Sequence, residues 1–234
     1  MERIQTGIAG FDELMGGGIP TGSSVLVSGG TGTCKTIFCL QYIYNGAKKF
    51  EEPGLFVTIE SNVKNLTWDM QSFNWDIRAL QDRKMLNIYR LKFGGKLNME
   101  DQLENELDTI SEIVKEQSIK RLVVDSTTAL GIYLERAENM RSLLFKFVDG
   151  LKDFGCTSLL TSETKAEKTA FSAFGVEEFV VDGVVVLYFS PPHRNIFVRK
   201  MRGTKHSKSV HPFDITEQGI KINEKEQVLW EAVK

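Results

Sequence analysis

The chain has 234 residues, of which 41% are hydrophobic and 26% are charged, a composition typical of a globular protein that excludes a disordered chain. Its formal net charge of −2 provides no overall field for nucleic acid or an anionic membrane, so either partner would need a local patch. The longest apolar run, 184–189, is too short to cross a bilayer, and residues 1–7 contain no signal-peptide stretch. We therefore expect a cytoplasmic protein with no membrane partner.

Domain organisation and cysteine content are both simple. The chain contains no linker, low-complexity tract or internal repeat, so we expect one domain over 1–234. The three cysteines, Cys34, Cys39 and Cys156, have neither metal-ligand nor redox-pair spacing. Neither a disulfide framework nor a zinc site is predicted.

A glycine-rich loop follows the first long apolar strand, 24–28, and precedes a helix that includes 37–43. The loop reads Gly29-Gly30-Thr31-Gly32-Thr33-Cys34-Lys35-Thr36. Its flanks and its Lys-Thr pair match a phosphate-binding loop, although the pattern has glycine where Cys34 stands. A turn followed by a chance Lys-Thr pair is the alternative, and the flanking strand and helix favour the phosphate loop.

Each part of this loop has a chemical role in the prediction. The N–H groups of 30–36 and the positive end of the helix would surround a β-phosphate. Lys35 would reach the β- and γ-phosphates, and the Thr36 hydroxyl would hold Mg²⁺. The Cβ of Cys34 either points away harmlessly, or weakens phosphate binding, or places a reactive thiol at the helix start.

Apolar strands then alternate with helices, which predicts a mostly parallel sheet covered on both faces. The predicted strands are 54–60, 86–91, 121–125 and 157–161, and the predicted helices are 63–73, 100–116 and 139–154. Towards the C-terminus, 184–189 and 196–201 predict an antiparallel hairpin that turns through Pro191 and Pro192. A last strand pair is predicted over 213–216 and 219–222.

Two carboxylates lie at predicted strand ends, where ligands bind on such sheets. Asp125 ends an apolar strand in the form of a Walker B aspartate and would act at Mg²⁺; capping of the next turn is the alternative. Glu60 ends the strand that we expect to neighbour the strand of the phosphate loop. It would orient or deprotonate the attacking water, unless it is an ordinary surface glutamate.

The segment from Arg194 to Lys208 contains six Lys and Arg residues and no acidic one. It is interpreted as a solvated face, as a nucleic-acid patch in which only Phe197 could stack, or as a source of arginine-finger groups. In a strand, Lys200 and Arg202 share one face and would act together on the γ-phosphate of a neighbouring subunit.

Three stretches, 6–22, 125–130 and 200–206, closely resemble the KaiC-like branch of the RecA-type P-loop ATPases, and in particular its single-domain archaeal members. The resemblance covers about 3–222 and leaves 223–234 as a tail. It implies an α/β fold of RecA type, with a phosphate loop over 29–36, a Walker B aspartate at Asp125, and ATP and Mg²⁺ as ligands.

The resemblance also implies an assembly. Family members tend to form hexameric rings with ATP between subunits, so Lys200 and Arg202 would act in trans. Many members have a Glu-Glu pair where this chain has Glu60 followed by Ser61, which leaves a single carboxylate. Ser162 and Glu163 weakly resemble the position that senses the γ-phosphate in RecA-like folds.

These observations predict a slow, Mg²⁺-dependent ATPase with a regulatory or signalling role and an unidentified protein partner. A DNA-binding relative of recombinases, or a nucleotide-binding module that hydrolyses little, is the alternative. Autophosphorylation in the loop containing Thr169 and Ser172 is a further, weaker hypothesis.

Overall fold

A computed structural model describes residues 2–94, 98–134, 139–164 and 171–230. Most strands form one nine-stranded sheet in the order β11-β10-β9-β8-β3-β7-β6-β4-β5, and β1 and β2 form a separate pair. The strands are β1 (Arg3–Ile4), β2 (Ile19–Pro20), β3 (Ser24–Gly29), β4 (Gly54–Thr58), β5 (Leu86–Arg90), β6 (Arg121–Asp125), β7 (Thr157–Glu163), β8 (Gly183–Ser190), β9 (His193–Met201), β10 (Val210–Thr216) and β11 (Gly219–Ile222).

The large sheet is parallel from β8 to β5 and antiparallel from β8 to β11. This arrangement confirms the predicted α/β fold class, including the C-terminal antiparallel strands. Pro191 and Pro192 form the turn between β8 and β9, as predicted.

Helices cover both faces of the sheet. They are α1 (Phe11–Leu14), α2 (Lys35–Lys49), α3 (Val63–Gln71), α4 (Ile77–Asp82), α5 (Met99–Glu116), α6 (Thr127–Leu134), α7 (Met140–Lys152) and α8 (Glu177–Val180). One apolar core packs the first four helices, α1–α4, against one face of the sheet. A second core packs the last four, α5–α8, against the other face. The two cores explain why the central strands are apolar on both sides.

Helix α6 was not predicted. Most of its length is buried, including Ala129, Leu130 and Leu134, so it has no alternation of polar and apolar residues that would reveal a helix. The predicted helix 63–73 instead ends at Gln71, and a short helix, α4, follows it.

The strand order corrects one expectation. The strand that leads to Glu60, β4, does not neighbour β3, because β7 and β6 lie between them. Residues beyond 222 contact the sheet: Val228 donates its N–H to Val210 at 2.9 Å, and the Trp230 ring packs edge-on against Tyr188. Within the described part of the chain, no helix is both long and apolar enough to cross a membrane.

Candidate nucleotide-binding site

The glycine-rich loop lies between β3 and α2, as predicted, at the carboxyl edge of the parallel strands. A Cβ on Gly29 would come within 2.5 Å of the Leu187 carbonyl oxygen, so only glycine fits there. The Lys35 ammonium donates to the carbonyl oxygens of Gly29 at 2.8 Å and of Gly30 at 3.0 Å. Burial lowers the pKa of Lys35, while the negative charges of Glu163 and Asp125 oppose that effect. The loop therefore holds the Lys35 ammonium within its curve, where a bound phosphate would replace the carbonyl oxygens as its partner.

Cys34 has a backbone φ of 72°, in the left-handed region that glycine adopts freely. It is the N-cap of α2, so the loop retains the conformation expected of the usual glycine. Its half-buried Sγ lies 3.6 Å from the Gly32 carbonyl oxygen. Burial raises the pKa of the Cys34 thiol, and Arg194 offsets this only in part. That direction is opposite to the one that produces a reactive thiolate.

Thr36 and Asp125 meet directly beneath the loop. The Thr36 hydroxyl donates to Asp125 Oδ2 at 2.9 Å, and the Thr161 hydroxyl donates to Asp125 Oδ1. Hydroxyl and carboxylate oxygens are ligands that Mg²⁺ prefers. Nowhere in the described ranges, this site included, do His, Cys, Asp and Glu side chains form a metal-binding group of three or more. The Thr36 hydroxyl and the Asp125 carboxylate fit a Mg²⁺ ion and would hold it there, where it would supply positive charge beside the phosphates.

Glu60 is exposed and follows β4 at the same edge of the sheet. Partial burial raises its pKa, and the nearby charges of Glu163 and Asp125 raise it further. Glu163 ends β7, which pairs with β3 so that Glu163 lies opposite Gly29. The carboxylate beside the loop strand is thus Glu163, whereas Glu60 lies beyond Asp125. The three carboxylates form one acidic edge that would face a nucleotide.

Lys200 and Arg202 lie at the other end of the strands. Gly183 pairs with both Val25, near the start of β3, and Met201, near the end of β9. The predicted finger residues are therefore near the amino-terminal end of β3, away from the loop at its carboxyl end. Within one chain the structure does not bring them into the phosphate site.

The two finger residues have different contacts. The Lys200 ammonium donates to the carbonyl oxygens of Glu178 at 3.1 Å and Val181 at 2.7 Å, and burial lowers its pKa. Arg202 forms an ion pair with Asp182 at 3.3 Å, and 59% of its side chain remains exposed. Arg202 is the more accessible of the two.

Arg194 is a site residue that sequence reasoning did not single out. Its Nε donates to the Gly32 carbonyl oxygen at 3.4 Å, and its guanidinium lies 4.3 Å from the centroid of the Phe189 ring. The predicted second strand of the hairpin, 196–201, does not include this position; the observed strand begins at His193 and pairs Arg194 with Phe189. Arg194 is thus the cation from the basic segment that reaches the loop of its own chain.

The basic segment does not form one patch. Arg194 contacts the loop, Arg199 lies 5.0 Å from the Phe171 ring centroid, and Lys200 contacts the carbonyls near α8. These contacts divide the basic residues among separate places, which disfavours a nucleic-acid surface built from them.

The phosphorylation hypothesis concerned two hydroxyls, those of Thr169 and Ser172. Thr169 lies outside the described residues. Ser172 is 1% exposed, and its hydroxyl donates to Glu178 while it accepts the Gly175 N–H. A kinase reaction at Ser172 would require the loop to open.

The strand order, the loop before α2 and the Thr36–Asp125 contact define a RecA-type P-loop protein. A family model described as "ATPase: KaiC" matches residues 4–227. The chain therefore belongs to the KaiC-like ATPase family, as the sequence resemblance predicted.

Individual relatives agree with this assignment. The chain is 38% identical over 227 residues to the circadian clock oscillator protein KaiC of Parathermosynechococcus lividus, covering 94% of this chain but only 42% of that protein. It thus spans less than half of this clock protein. It is also 34% identical to a UPF0273 protein of Methanocaldococcus jannaschii, of which it covers 96%. A crystal structure of a KaiC-like protein from Pyrococcus horikoshii aligns with a TM-score of 0.84 and 38% identity, covering 94% of this chain and 98% of the other.

Proposed function

We propose that this chain is a slow, Mg²⁺-dependent ATPase that hydrolyses ATP between the subunits of a homo-oligomeric ring, with a regulatory or signalling role. One observation carries the proposal: the loop lies at the carboxyl end of β3, and Lys200 and Arg202 lie near the amino-terminal end of that strand. A second subunit placed head to tail would supply the pair to the first subunit's loop. Membership of the KaiC-like family supports both nucleotide binding and a ring, which is hexameric by the family resemblance.

Each residue has a role in this mechanism. Lys35 and the loop amides hold the phosphates, and Arg194 adds a positive charge at the loop. Thr36 and Asp125 would hold Mg²⁺, which would neutralise charge on the phosphates. Glu60 orients the attacking water or accepts its proton, since its raised pKa makes it a stronger base than an ordinary glutamate. Lys200 and Arg202 of the next subunit stabilise the charge that develops on the γ-phosphate.

Subunit mixing tests the trans role. Lys35→Ala should inactivate a subunit's own site, and Arg202→Ala should inactivate the site of the neighbour that it serves. We expect each variant alone to lose at least about 90% of ATP turnover, since phosphate-binding and finger groups contribute large rate factors. Mixed rings should regain turnover. In them, the intact phosphate site of an Arg202→Ala subunit can receive the intact Arg202 of a neighbouring Lys35→Ala subunit.

Lys208→Ala is the matched control, because it removes an exposed cation from the same basic segment. It should retain turnover both alone and in mixtures. Absence of recovery in mixed rings of confirmed mixed composition would contradict the trans assignment. Unchanged turnover and assembly in Arg202→Ala alone would contradict any finger role.

A nucleotide-binding module with little hydrolysis is the second candidate. Ser61 stands where the family pair has its second glutamate, so Glu60 is the one carboxylate of that pair in this chain. The Ser61 N–H donates to Thr58 Oγ1 at 3.0 Å. Single-turnover measurements separate the candidates, because a binding module would retain bound ATP unhydrolysed. DNA-stimulated turnover or a gel shift at low salt would instead favour the recombinase alternative.

A further inference from the structure

Glu177, the first residue of α8, is a buried carboxylate with no role in the mechanism above. None of its surface is exposed (0%). It accepts the Ser162 hydroxyl at 3.1 Å, the Thr127 hydroxyl at 3.4 Å and the Val176 N–H at 3.2 Å. Among the described residues, no Lys, Arg or His forms an ion pair with it. Burying a carboxylate with only neutral donors is costly, so this position requires an explanation.

One side of this contact network leads to the phosphate site. The one proton of the Thr127 hydroxyl is shared between Glu177 and the Thr161 carbonyl oxygen, which is closer at 3.0 Å. The Thr161 hydroxyl in turn donates to Asp125. Ser162 immediately precedes Glu163 at the acidic edge. Glu177 is therefore linked to Asp125 of the proposed Mg²⁺ site through Thr127 and Thr161, and to the acidic edge through Ser162.

The other side leads to Lys200. Helix α8 is a single turn, Glu177–Val180, so its two ends move together. Its Glu178 carbonyl and the following Val181 carbonyl are the acceptors for the Lys200 ammonium, at 3.1 and 2.7 Å. The Lys200 ammonium is thus held by α8 and the residue that follows it, while its backbone pairs with Val184 in the sheet.

We propose that Glu177 is a positioning residue that couples the phosphate site of a subunit to the Lys200 that the same subunit offers to its neighbour. This inference rests on the proposed function. A shift of the Thr127 and Ser162 hydroxyls when nucleotide binds would move α8 through Glu177. That movement would change the hydrogen bonds from the Lys200 ammonium to the Glu178 and Val181 carbonyl oxygens. Each nucleotide site would in this way influence the next around the ring.

The first test measures Lys200 without using turnover. The intact protein, in the presence of a non-hydrolysable ATP analogue, is acetylated briefly with acetic anhydride, and modification of Lys200 is quantified by peptide mass spectrometry. We expect Glu177→Ala to raise the acetylation rate of Lys200 at least about threefold, because its carbonyl hydrogen bonds loosen. Glu177→Gln retains the shape and part of the hydrogen bonding, so it should produce a smaller increase.

The matched control is Glu178→Ala, on the same turn of helix. The Glu178 carboxylate accepts the Ser172 hydroxyl and has no bond to Ser162 or Thr127, while its backbone carbonyl is retained in the variant. Glu178→Ala removes a negative charge that raises the pKa of Lys200, so its Lys200 acetylation rate should rise, but by less than that of Glu177→Ala, which loosens the carbonyl hydrogen bonds. Equal rates of Lys200 acetylation in Glu177→Ala, Glu177→Gln and the wild-type protein would overturn the proposed coupling.

The second test is a double-mutant cycle on kcat. We expect Glu177→Ala to lower kcat about tenfold with little change in the KM for ATP, since a small misplacement of a catalytic group has effects of that order or larger. The double variant with Lys200→Ala should have the kcat of Lys200→Ala alone, because residues that act as a unit are not additive. Reductions that multiply would show that Glu177 does not act through Lys200.

The two measurements separate this inference from the proposed function. Faster Lys200 acetylation in Glu177→Ala, together with full turnover in Lys200→Ala, would support the link between the residues and refute the trans role of Lys200. Thermal unfolding of every variant identifies loss of fold, and Glu177→Gln provides the folded comparison if the alanine variant unfolds.

Discussion

Cys34 shows how one backbone angle can preserve a loop at the expense of stability. Its φ of 72° is the conformation that glycine adopts without a Cβ clash. For other L-residues this conformation costs about 1–2 kcal/mol. The loop geometry is therefore retained, and the cost of the substitution falls on the free energy of folding rather than on the arrangement of the phosphate-binding amides.

Cys34→Gly should accordingly stabilise the protein. We expect the free energy of unfolding to rise by about 1 kcal/mol, because the strain is removed while the unfolded chain gains some entropy. Urea denaturation measures this change. The affinity for an ATP analogue should stay within about twofold, since the loop backbone already has the conformation favoured by glycine.

Cys34→Ala is the control, because it removes the thiol and retains the Cβ. It should show no gain in stability. Equal stabilisation by alanine and glycine would assign the effect to the thiol instead of the backbone. Tighter ATP binding by the glycine variant alone would support the alternative that the Cβ hinders phosphate.

Glu60 makes the activity depend on pH in a definite direction. Its pKa is raised above the ordinary value of 4.5, first by burial and then by Glu163 and Asp125. A base acts only when deprotonated, so kcat/KM should fall as the pH decreases through this raised pKa. Glu163→Gln removes one negative charge, lowers the pKa of Glu60 and should move the acid limb to lower pH.

The pH profile of ATP hydrolysis tests this, with Glu112→Gln as a control for an exposed carboxylate on α5, outside the site. The control should leave the acid limb in place. An acid limb at the same pH in Glu163→Gln and in the unmodified chain would argue against Glu60 as the titrating base.

At the scale of elements, α2 is held against β6 by a buried arginine. The Arg121 side chain has no exposed surface and forms an ion pair with Glu52 at 2.5 Å. It also donates to the carbonyl oxygens of Tyr42 at 3.1 Å and Gln5 at 2.7 Å. These contacts hold α2 against the sheet, and α2 begins at the phosphate loop, so they help to fix the position of the loop.

Gly46→Ala tests that support. In an exposed helix this change stabilises by up to about 1 kcal/mol. Here the new Cβ would lie 2.3 Å from Arg121 Cδ, so we expect a loss of about 1–3 kcal/mol from overpacking. Thermal or urea unfolding measures the effect.

Gly150→Ala in α7 is the matched helical control. Its Cβ would meet only the end of the Leu107 side chain, at 3.1 Å, and that side chain can shift. We expect it to be near neutral. A neutral result for Gly46→Ala as well would mean that Arg121 can move without loss.

At the scale of the whole molecule, the proposed machinery is split between two ends of the sheet. The loop lies at the carboxyl end of β3, and Arg202 lies near its amino-terminal end, bonded to Asp182. A head-to-tail contact between such ends closes into a ring when the rotation allows it. Nucleotide would then link the subunits.

Light scattering tests this arrangement. Adding Mg²⁺ and a non-hydrolysable ATP analogue should raise the molar mass to about six times that of one chain, as expected for a closed cyclic assembly. Lys35→Ala should fail to show the nucleotide-dependent increase, because it weakens phosphate binding. A mass of one chain under all conditions would refute the ring.

The sequence by itself determined the parts of this site that depend on local patterns. The strand, the loop and α2 follow from contiguous residues, and Asp125 was identified because it ends an apolar strand. Short-range periodicity and backbone chemistry carry that information. The alternation of apolar strands and helices predicted a mostly parallel sheet covered on both faces, and the family resemblance added its RecA type; the structure confirmed both.

Only the tertiary structure decided which strands are neighbours. It placed Glu163, not Glu60, beside the loop strand, brought Arg194 to Gly32, and connected Glu177 to both Ser162 and α8. It also separated Lys200 and Arg202 from the loop of their own chain. These relations depend on pairing between residues far apart in the sequence, which local propensity does not encode, because strand order is settled by how whole elements pack on both faces of the sheet.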